Sequence, residues 1–449
     1  MKLWFIAGLG LSSLAFTNAN ASVLNQLPNN PIQSPFGKTK QTEHKDQLKN
    51  IDARTRTKTS FGSNTYTYVR CYYRTDTLMP TTNFEWAVEP SSNSRYHLEG
   101  VWKNNGILAW KNMFYTDITQ DRLRLLCEQT LQKKGKKLEP NLIFAANDEY
   151  QHINYTIWSN DKAGQGNHAN KIIAFGDSLS DTLNVYNHSP AIFRIPNRES
   201  WYLGHYSNGP LWVEHLANRL NLPLYNWATG GAGVNPDQYG MIPSVLQQVQ
   251  SWQEYMKSAP NYNPASTLFT MWIGGNDLIT YGNSPEKIIA TQKQSLMILI
   301  SAGARKVLLM KLPDISRSPV FKLPDYASSA ATVSLQVTEY NQKLDRLATQ
   351  LREMYGNSLK LEVFDGYTLF NDVLNNPAKY QMTNTTQSCL ELSNNGSSIY
   401  KNSQKVRKEC SNPNSFVFWD NLHPTTRIHQ LLADRIANSP QLEQILGQR

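Results

Sequence analysis

The sequence predicts an α/β protein in which a parallel sheet is flanked by helices and preceded by a small β-rich domain. From residue 171 onward, short apolar runs alternate with longer helical patterns, which is typical of a three-layer domain. Between residues 61 and 158, aromatic and polar residues alternate as in half-buried strands. With 449 residues and 40% hydrophobic content, the chain is long enough for two or three domains, which excludes a short peptide scaffold and a wholly disordered chain.

The first 21 residues are typical of a secretory signal peptide. Lys2 precedes an apolar run from Leu3 to Leu14, and Ala19-Asn20-Ala21 is a small-x-small cleavage pattern. The run is shorter than the roughly 20 residues that a membrane-spanning helix needs. We therefore expect a secreted, extracellular protein that begins at Ser22 and that, having lost only Lys2 among its charges, has a formal net charge of +8 instead of +9.

The remainder divides into four regions by composition. Residues 22–60 are rich in Asn, Gln, Pro, Lys and Thr, which predicts a polar arm. Residues 61–158 predict a small β-rich domain with one helix, from Asp121 to Lys133. Residues 159–170 are polar and contain two glycines, as expected of a linker. Residues 171–449 then form the α/β domain.

Within the α/β domain, apolar runs predict buried parallel strands, and helical patterns between them predict crossover helices. The predicted strands are Ile172–Phe175, Leu268–Ile273, Val307–Lys311 and Leu361–Phe364. The predicted helices are Leu211–Leu220, Ser244–Met256, Pro285–Ala302, Ser329–Tyr355 and Thr425–Asn438. Because ligands collect at the carboxyl ends of parallel strands, the residues that follow these strands are the candidates for a functional site.

Ser178 lies directly after the first predicted strand, within Gly-Asp-Ser-Leu-Ser-Asp. A serine there is placed to act as a nucleophile, and its amide can face a developing oxyanion. Serine needs a base, and the base needs an acceptor on its other ring nitrogen. Asp420 and His423, three residues apart before the last predicted helix, could form that pair. The alternatives are an ordinary turn at Ser178 and a turn-capping role for Asp420.

Two glycine-bearing stretches could complete the site. The backbone N–H of Gly231, or of its neighbour Gly230, and the side-chain amide of Asn276 would join the Ser178 amide in a three-donor oxyanion hole. Loss of one such donor typically costs ~10²–10³-fold in turnover. The alternative for either stretch is a tight turn between strand and helix.

Taken together and in this order, these four stretches resemble the sequence blocks of the GDSL (SGNH) hydrolase family. The resemblance implies a flavodoxin-like sandwich and ester hydrolysis through an acyl-serine intermediate, without metal or organic cofactor. It assigns Ser178 as nucleophile, His423 as base oriented by Asp420, and Gly231 and Asn276 as oxyanion donors.

The layout of a leader, an aromatic β-rich domain and a Gly-Asp-Ser-Leu-Ser-Asp block is similar to that of bacterial thermolabile haemolysins and secreted phospholipases A and lysophospholipases. That similarity implies phospholipid or lysophospholipid substrates at membrane surfaces, with cholesterol as a possible acyl acceptor and no nucleic-acid partner. The basic cluster Lys133-Lys134-Gly135-Lys136-Lys137 could approach an anionic bilayer or simply be a solvated loop. Two other functions stay open: removal of acetyl groups from carbohydrate, and membrane lysis to which the serine site is incidental.

The four cysteines form an even set in a chain with a leader, which favours two disulfides over a metal site. Position along the chain favours Cys71 with Cys127 and Cys389 with Cys410, although spacing alone does not fix the connectivity. The polar segment from Ser388 to Ser411 ends close to Asp420 in sequence. We hypothesise that it lies near the active site and restricts entry; the alternative is a stapled surface loop.

Overall fold

The structure is a computed structural model. It describes residues 57–58, 64–76, 78–104, 112–147, 153–159, 168–188, 194–236, 242–257, 259, 262–394 and 397–447. The predicted signal peptide, residues 1–21, lies outside the described residues, as do most of the predicted arm and linker.

The N-terminal region is β-rich and contains one helix, as predicted. Its strands are β1 (Thr57–Lys58), β2 (Asn64–Thr65), β3 (Thr67–Arg74), β4 (Thr82–Trp86), β5 (Val101–Asn104), β6 (Asn112–Thr116), β7 (Ile143–Asn147) and β8 (Thr156–Ser159). The helix is α1 (Gln120–Gln132). Two three-stranded sheets form, in the orders β4-β3-β7 and β5-β6-β8. Every pair in them is antiparallel except β6 with β8.

Helix α1 closes the core of this region. It begins after Thr119, whose side chain accepts a hydrogen bond from the amide of Arg122. The predicted apolar face, which includes Leu123 and Leu131, is buried against the sheets. The Cys71–Cys127 disulfide joins α1 to β3. Four aromatic side chains, Tyr73, Trp102, Phe114 and Tyr155, are buried in this core.

The central sheet of the second region has five parallel strands. They are β9 (Lys171–Gly176), β10 (Leu224–Asn226), β11 (Thr267–Trp272), β12 (Lys306–Met310) and β13 (Lys360–Phe364). Their spatial order is β10-β9-β11-β12-β13, which is the 2-1-3-4-5 order of flavodoxin-like folds. The predicted fold class is confirmed. The sequence did not indicate β10, because three residues are too few to show a period.

Helices cover both faces of the sheet. They are α2 (Asn184–His188), α3 (Trp212–Leu220), α4 (Val245–Met256), α5 (Pro285–Ser301), α6 (Pro324–Ala327), α7 (Ala330–Tyr355), α8 (Gly366–Asn375), α9 (Thr426–Ala437) and α10 (Pro440–Leu446). Helices α3, α9 and α10 form one layer, and α4, α5 and α7 form the other. The sequence predicted α3, α4, α5, α7 and α9 to within one residue at each end.

Shorter elements complete the carboxyl edge of the sheet. Strands β14 (Asn384–Ser388) and β15 (Phe416–Phe418) form a separate parallel pair. A single π-helical turn spans Asp277–Tyr281. Short 3-10 turns occupy Pro264–Ser266, Ile315–Arg317, Pro319–Lys322, Gly356–Ser358, Pro377–Tyr380, Ser397–Tyr400 and Pro413–Ser415. In the part of the chain that the structure describes, no helix has both the length and the apolar character to cross a membrane.

Two residues fix the backbone where β9 ends, just before Ser178. Gly176 has a φ of +153°, and a Cβ there would lie 2.3 Å from the carbonyl oxygen of Trp272 on β11, so only glycine fits. The buried side chain of Gln248, on α4, accepts from the Gly176 amide at 2.9 Å and donates to its carbonyl oxygen at 2.8 Å. This clamp sets the direction in which the serine loop leaves the sheet.

The clamp predicts a stability effect of Gln248→Leu. The Gly176 amide would be left buried without its acceptor, which costs about 1–3 kcal/mol of unfolding free energy. Urea denaturation would measure the loss. Gln250→Leu, at an exposed position on the same helix, is the matched control. Equal effects of the two substitutions would contradict the clamp.

Candidate active site

The carboxyl edge of the sheet brings together three residues from distant parts of the chain. Ser178 follows β9, and its Oγ lies 2.8 Å from Nε2 of His423, which is 245 residues later. His423 and Asp420 lie between β15 and α9, with Nδ1 of the imidazole 2.9 Å from each carboxylate oxygen. With the Nδ1 proton donated to Asp420, Nε2 can accept the serine hydroxyl proton. The alcohol, imidazole and carboxylate are thus hydrogen-bonded in series.

Asp420 is completely buried and accepts several hydrogen bonds. Its Oδ1 accepts the backbone amides of Leu422 and His423, at 2.9 and 2.7 Å. Its Oδ2 accepts the indole N–H of Trp201 at 3.0 Å. Burial alone would raise the pKa of Asp420, but the imidazole of His423 and these donors outweigh burial and hold the pKa below its usual range. The carboxylate therefore stays ionised beside the imidazole.

Sequence reasoning missed two aromatic residues that surround this pair. Besides Trp201, the hydroxyl of Tyr400 lies 3.4 Å from Nδ1 of His423. The Tyr400 ring packs against those of Trp201 and Tyr206, with centroids 5.0 and 5.2 Å away. Both residues lie in irregular or 3-10 segments far from the family blocks, so no spacing in the sequence pointed to them.

Tyr400 belongs to the segment closed by the Cys389–Cys410 disulfide. Cys389, Leu390 and Cys410 pack with Trp201 and other residues in one buried cluster behind the Asp420–His423 pair. The position of residues 388–411 agrees with the hypothesis that this segment lies near the site. No described residue between positions 388 and 411 lines the pocket described below. The contacts of this segment therefore support the Asp420–His423 pair and give no support to gating.

The predicted oxyanion donors lie in two adjoining turns. Asn276, after β11, donates from Nδ2 to the carbonyl oxygen of Ala232 at 2.9 Å, and the second Nδ2 proton remains available. The amide of Gly230 already donates to Oδ2 of Asp181 at 2.7 Å. Among the described residues, no acceptor is assigned to the amide of Gly231. This arrangement favours Gly231 over Gly230 as the donor.

Asp181 links the loop that follows Ser178 to the turn that contains Gly230 and Gly231. Besides the Gly230 amide, its two oxygens accept the amides of Leu183, Asn184 and Val185 at 2.6–3.1 Å. Asp181 is the last residue of the Gly-Asp-Ser-Leu-Ser-Asp block, but its place in the sequence indicated no role for it. Its position shows how the two loops that face the reacting carbon are held together.

Two other buried aspartates near the site, Asp177 and Asp277, have raised pKa values, whereas that of Asp420 is lowered. Burial raises the pKa of Asp177 to about 7 and that of Asp277 to about 6. The nearby Asp277 carboxyl raises the pKa of Asp177 further. Oδ1 of Asp177 accepts the Leu179 amide at 3.0 Å. His423 lowers the pKa of Asp177 and Lys287 that of Asp277, but in both cases burial outweighs the cation.

An apolar pocket of about 70 Å³ opens beside Ser178 and His423. It is walled by Leu369, Phe370 and Val373 of α8 and by residues of α9 that include Ile428 and Leu432. Asn276 also lines it, so the amide and the serine face the same space. A carbonyl carbon at Ser178 would thus have hydrogen-bond donors on one side and hydrocarbon on the other.

Among the described residues, no group of three or more His, Cys, Asp or Glu side chains could hold a metal ion. The four cysteines form the two predicted disulfides, Cys71–Cys127 and Cys389–Cys410.

With this geometry established, comparison with known proteins gives the class. The GDSL-like Lipase/Acylhydrolase family matches residues 172–436, and the Vibrio dual lipase/transferase N-terminal domain matches residues 34–160. The chain belongs to the GDSL-like lipase/acylhydrolase family and is an ester hydrolase of the GDSL type.

Individual relatives extend over most of the chain. It is 38% identical over 381 residues to the thermolabile hemolysin of Vibrio parahaemolyticus serotype O3:K6, covering 84% of this chain and 88% of that protein. It is 26% identical over 316 residues to the phosphatidylcholine-sterol acyltransferase of Aeromonas hydrophila, covering 60% and 89%. It is 27% identical over 288 residues to the acetylesterase of Thermothelomyces thermophilus, covering 60% and 87%.

The Trp201 hydrogen bond to Asp420 predicts a kinetic effect of Trp201→Phe. A hydrogen bond to a charged group contributes about 1.5–3 kcal/mol, so its loss should lower kcat on a soluble ester by roughly 10–100-fold. Trp252→Phe is the control, because Trp252 is equally buried but donates to the hydroxyl of Tyr262, away from the site. A similar fall in kcat for both variants would contradict a specific role for Trp201.

The raised pKa of Asp177 predicts a pH-dependent effect of Asp177→Asn. The wild-type carboxyl titrates near its ordinary value when unfolded and at about 7 when folded. Its favourable contribution is therefore complete below the unfolded pKa and is lost as pH rises to about 7. The stability of the Asn variant relative to wild type should rise across that window and level off above it. Urea denaturation at a series of pH values would measure this, and a difference that falls with pH would contradict it.

Proposed function

We propose that this protein hydrolyses acyl esters of phospholipids and lysophospholipids through an acyl-serine intermediate and can pass the acyl group to a sterol alcohol. The observation that carries the proposal is the continuous hydrogen-bonded series from Asp420 through His423 to Ser178, opening on an apolar pocket. The named activities of the Vibrio and Aeromonas relatives support the substrate class and the transfer.

In the proposed cycle, Nε2 of His423 takes the proton of Ser178 as Oγ bonds to the acyl carbon. The oxyanion accepts hydrogen bonds from the amides of Ser178 and Gly231 and from the side chain of Asn276. Collapse breaks the bond to the glycerol oxygen, which leaves with the proton from His423. Water or a sterol hydroxyl then gives its proton to His423 and attacks the acyl carbon. The bond from that carbon to Oγ of Ser178 breaks, Oγ takes the proton back from His423, and fatty acid or sterol ester is released.

The pocket supports a fatty acyl group more than an acetyl group. Its walls on α8 and α9 are hydrocarbon, and burying each methylene of a substrate chain contributes about 0.8 kcal/mol. An acetyl group would leave most of this apolar surface uncovered. An acyl chain longer than acetyl is therefore the better fit for this pocket.

Export and membrane contact are part of the same proposal. Residues 1–21 would direct secretion, residues 61–158 and 171–449 would be the two folded domains, and the basic cluster at residues 133–137 would approach anionic lipid. That cluster is only partly free for this purpose, because Lys134 lies 2.7 Å and Lys136 3.5 Å from the Glu85 carboxylate. We therefore propose that the pocket, and not the charge of the surface, determines which substrate is preferred.

Ser178→Ala tests the reaction and the lytic alternative together. We expect it to abolish fatty acid release from phosphatidylcholine vesicles and lysis of erythrocytes, because both require the acyl-enzyme. Ser180→Ala is the control, since the Ser180 hydroxyl accepts the indole N–H of Trp212 and does not face His423. Lysis that persists in Ser178→Ala would show a membrane-binding lytic protein whose serine site is incidental.

Product analysis separates the remaining alternatives. The wild-type protein should cleave palmitoyl esters faster than acetyl esters, and vesicles that contain cholesterol should yield cholesteryl ester beside free fatty acid. A preference for acetyl esters would instead favour a carbohydrate acetylesterase. Chromatography of the lipid products measures both.

A further inference from the structure

Arg74, the last residue of β3, reaches from the N-terminal domain into the catalytic domain. Its Nη2 donates to the backbone carbonyl oxygen of Asn208 at 2.7 Å. Its guanidinium lies over the ring of Tyr202, 4.8 Å from the centroid. Its Nε is 3.4 Å from a carboxylate oxygen of Glu139, which also belongs to the N-terminal domain. The guanidinium is thus held by its own domain while it bonds to the other.

The segment that Arg74 contacts is bonded in turn to the residues that follow the catalytic histidine. Oδ1 of Asn208 accepts the backbone amide of Thr426 at 2.9 Å. Oγ of Ser207 donates to the carbonyl oxygen of Pro424 at 2.8 Å, and Oγ1 of Thr426 donates to that of Pro210 at 2.7 Å. Residues 207–210 and 424–426 are therefore joined by three hydrogen bonds that involve side chains, starting one residue beyond His423.

The three pieces meet at Gly209 with no space left between them. A Cβ at Gly209 would lie 2.6 Å from Nη2 of Arg74 and 2.8 Å from Cβ of Thr426. A second contact from the N-terminal domain lies alongside, because Nδ2 of Asn208 donates to the carbonyl oxygen of Leu78 at 3.3 Å. A displacement of Arg74 is therefore transmitted to the start of α9.

We propose that Arg74 is a positioning residue for His423, so that the N-terminal domain takes part in the reaction by holding the base in line with Ser178. The guanidinium holds residues 207–210 in place, and these residues hold residues 424–426. Since residue 424 directly follows His423, the position of the imidazole is fixed as well. This inference rests on the catalytic roles proposed above for Ser178 and His423. It gives the N-terminal domain a function in turnover that is separate from any contact with lipid.

The size of the effect follows from the geometry that proton transfer requires. A displacement of a catalytic group by about 1 Å can lower the rate by ~10²-fold. Glutamine at position 74 is shorter than arginine and uncharged, so it cannot reach Asn208 and Glu139 together. Lysine can still donate one charged hydrogen bond and should restore part of the activity.

Arg74→Gln, Arg74→Lys and Arg70→Gln form the test set. Arg70 is the matched control, because it lies four residues earlier on the same face of β3, is buried, and donates to Ile153 and Asn154 inside the N-terminal domain. Loss of either arginine weakens that domain, whereas only Arg74 touches the segment beside His423.

We expect Arg74→Gln in the full chain to lower kcat on a soluble short-chain ester by about 10–100-fold with KM unchanged. Phosphonylation of Ser178 by a fluorophosphonate should slow in the same ratio, since it needs the same base. Arg74→Lys should regain part of the rate, and Arg70→Gln should keep the wild-type kcat. Wild-type kcat in both Arg74 variants, or an equal loss in Arg70→Gln, would overturn the proposal.

A double-mutant cycle with Asn208→Ala tests the path. If Arg74 acts through residues 207–210, Arg74→Gln combined with Asn208→Ala should lose little more activity than the more damaging single variant. Full additivity would overturn the path. Ser178→Ala, measured in parallel, keeps the two proposals apart: residual turnover there refutes the proposed function, whereas an inactive Ser178→Ala beside a fully active Arg74→Gln refutes the positioning role alone.

Discussion

The Asp420 carboxylate has no contact with water and yet must keep its charge, and this constraint accounts for much of the structure around it. Removing an ion from water costs several kcal/mol unless partners replace the lost hydration. Asp420 has four such donors: two backbone amides of its own turn, the indole of Trp201 and the imidazole of His423. The disulfide-closed segment and the aromatic rings behind the pair exclude solvent from this network.

The other buried aspartates show that hydrogen bonds from backbone amides alone do not keep the pKa of a buried carboxyl low. Asp181 accepts four backbone amides, yet burial still raises its pKa to about 6. Asp177 accepts fewer, and burial raises its pKa to about 7. Of these three aspartates, Asp420 is the one that is hydrogen-bonded to His423. In the proposed mechanism, the ionised carboxylate therefore lies where positive charge would develop, and the less acidic carboxyls lie where loops need acceptors.

The sequence predicted the fold to the extent that local pattern determines it. Strands such as β9 were predicted from their apolar runs, and helices such as α7 from their apolar period. Ser178 and Asn276 were proposed as site residues because each follows a predicted strand, and Gly231, Asp420 and His423 because their stretches resemble the family's sequence blocks. Strand β10 was missed because it is too short to show a pattern. The sequence did not indicate the roles of Trp201, Tyr400 and Arg74. These roles come from contacts with residues that are distant in the chain, and such contacts cannot be predicted from the type of a residue.

The order of the site residues along the chain has a consequence for synthesis. The proposed nucleophile is Ser178, whereas the proposed base, His423, and the carboxylate that orients it, Asp420, both lie in the turn after strand β15. A chain growing from its amino end can fold its N-terminal domain and expose the serine loop long before the last tenth of the polypeptide exists. On the proposed mechanism, the serine has no proton acceptor until that part has emerged and docked, so the nascent chain would not attack the lipids of the cell that makes it.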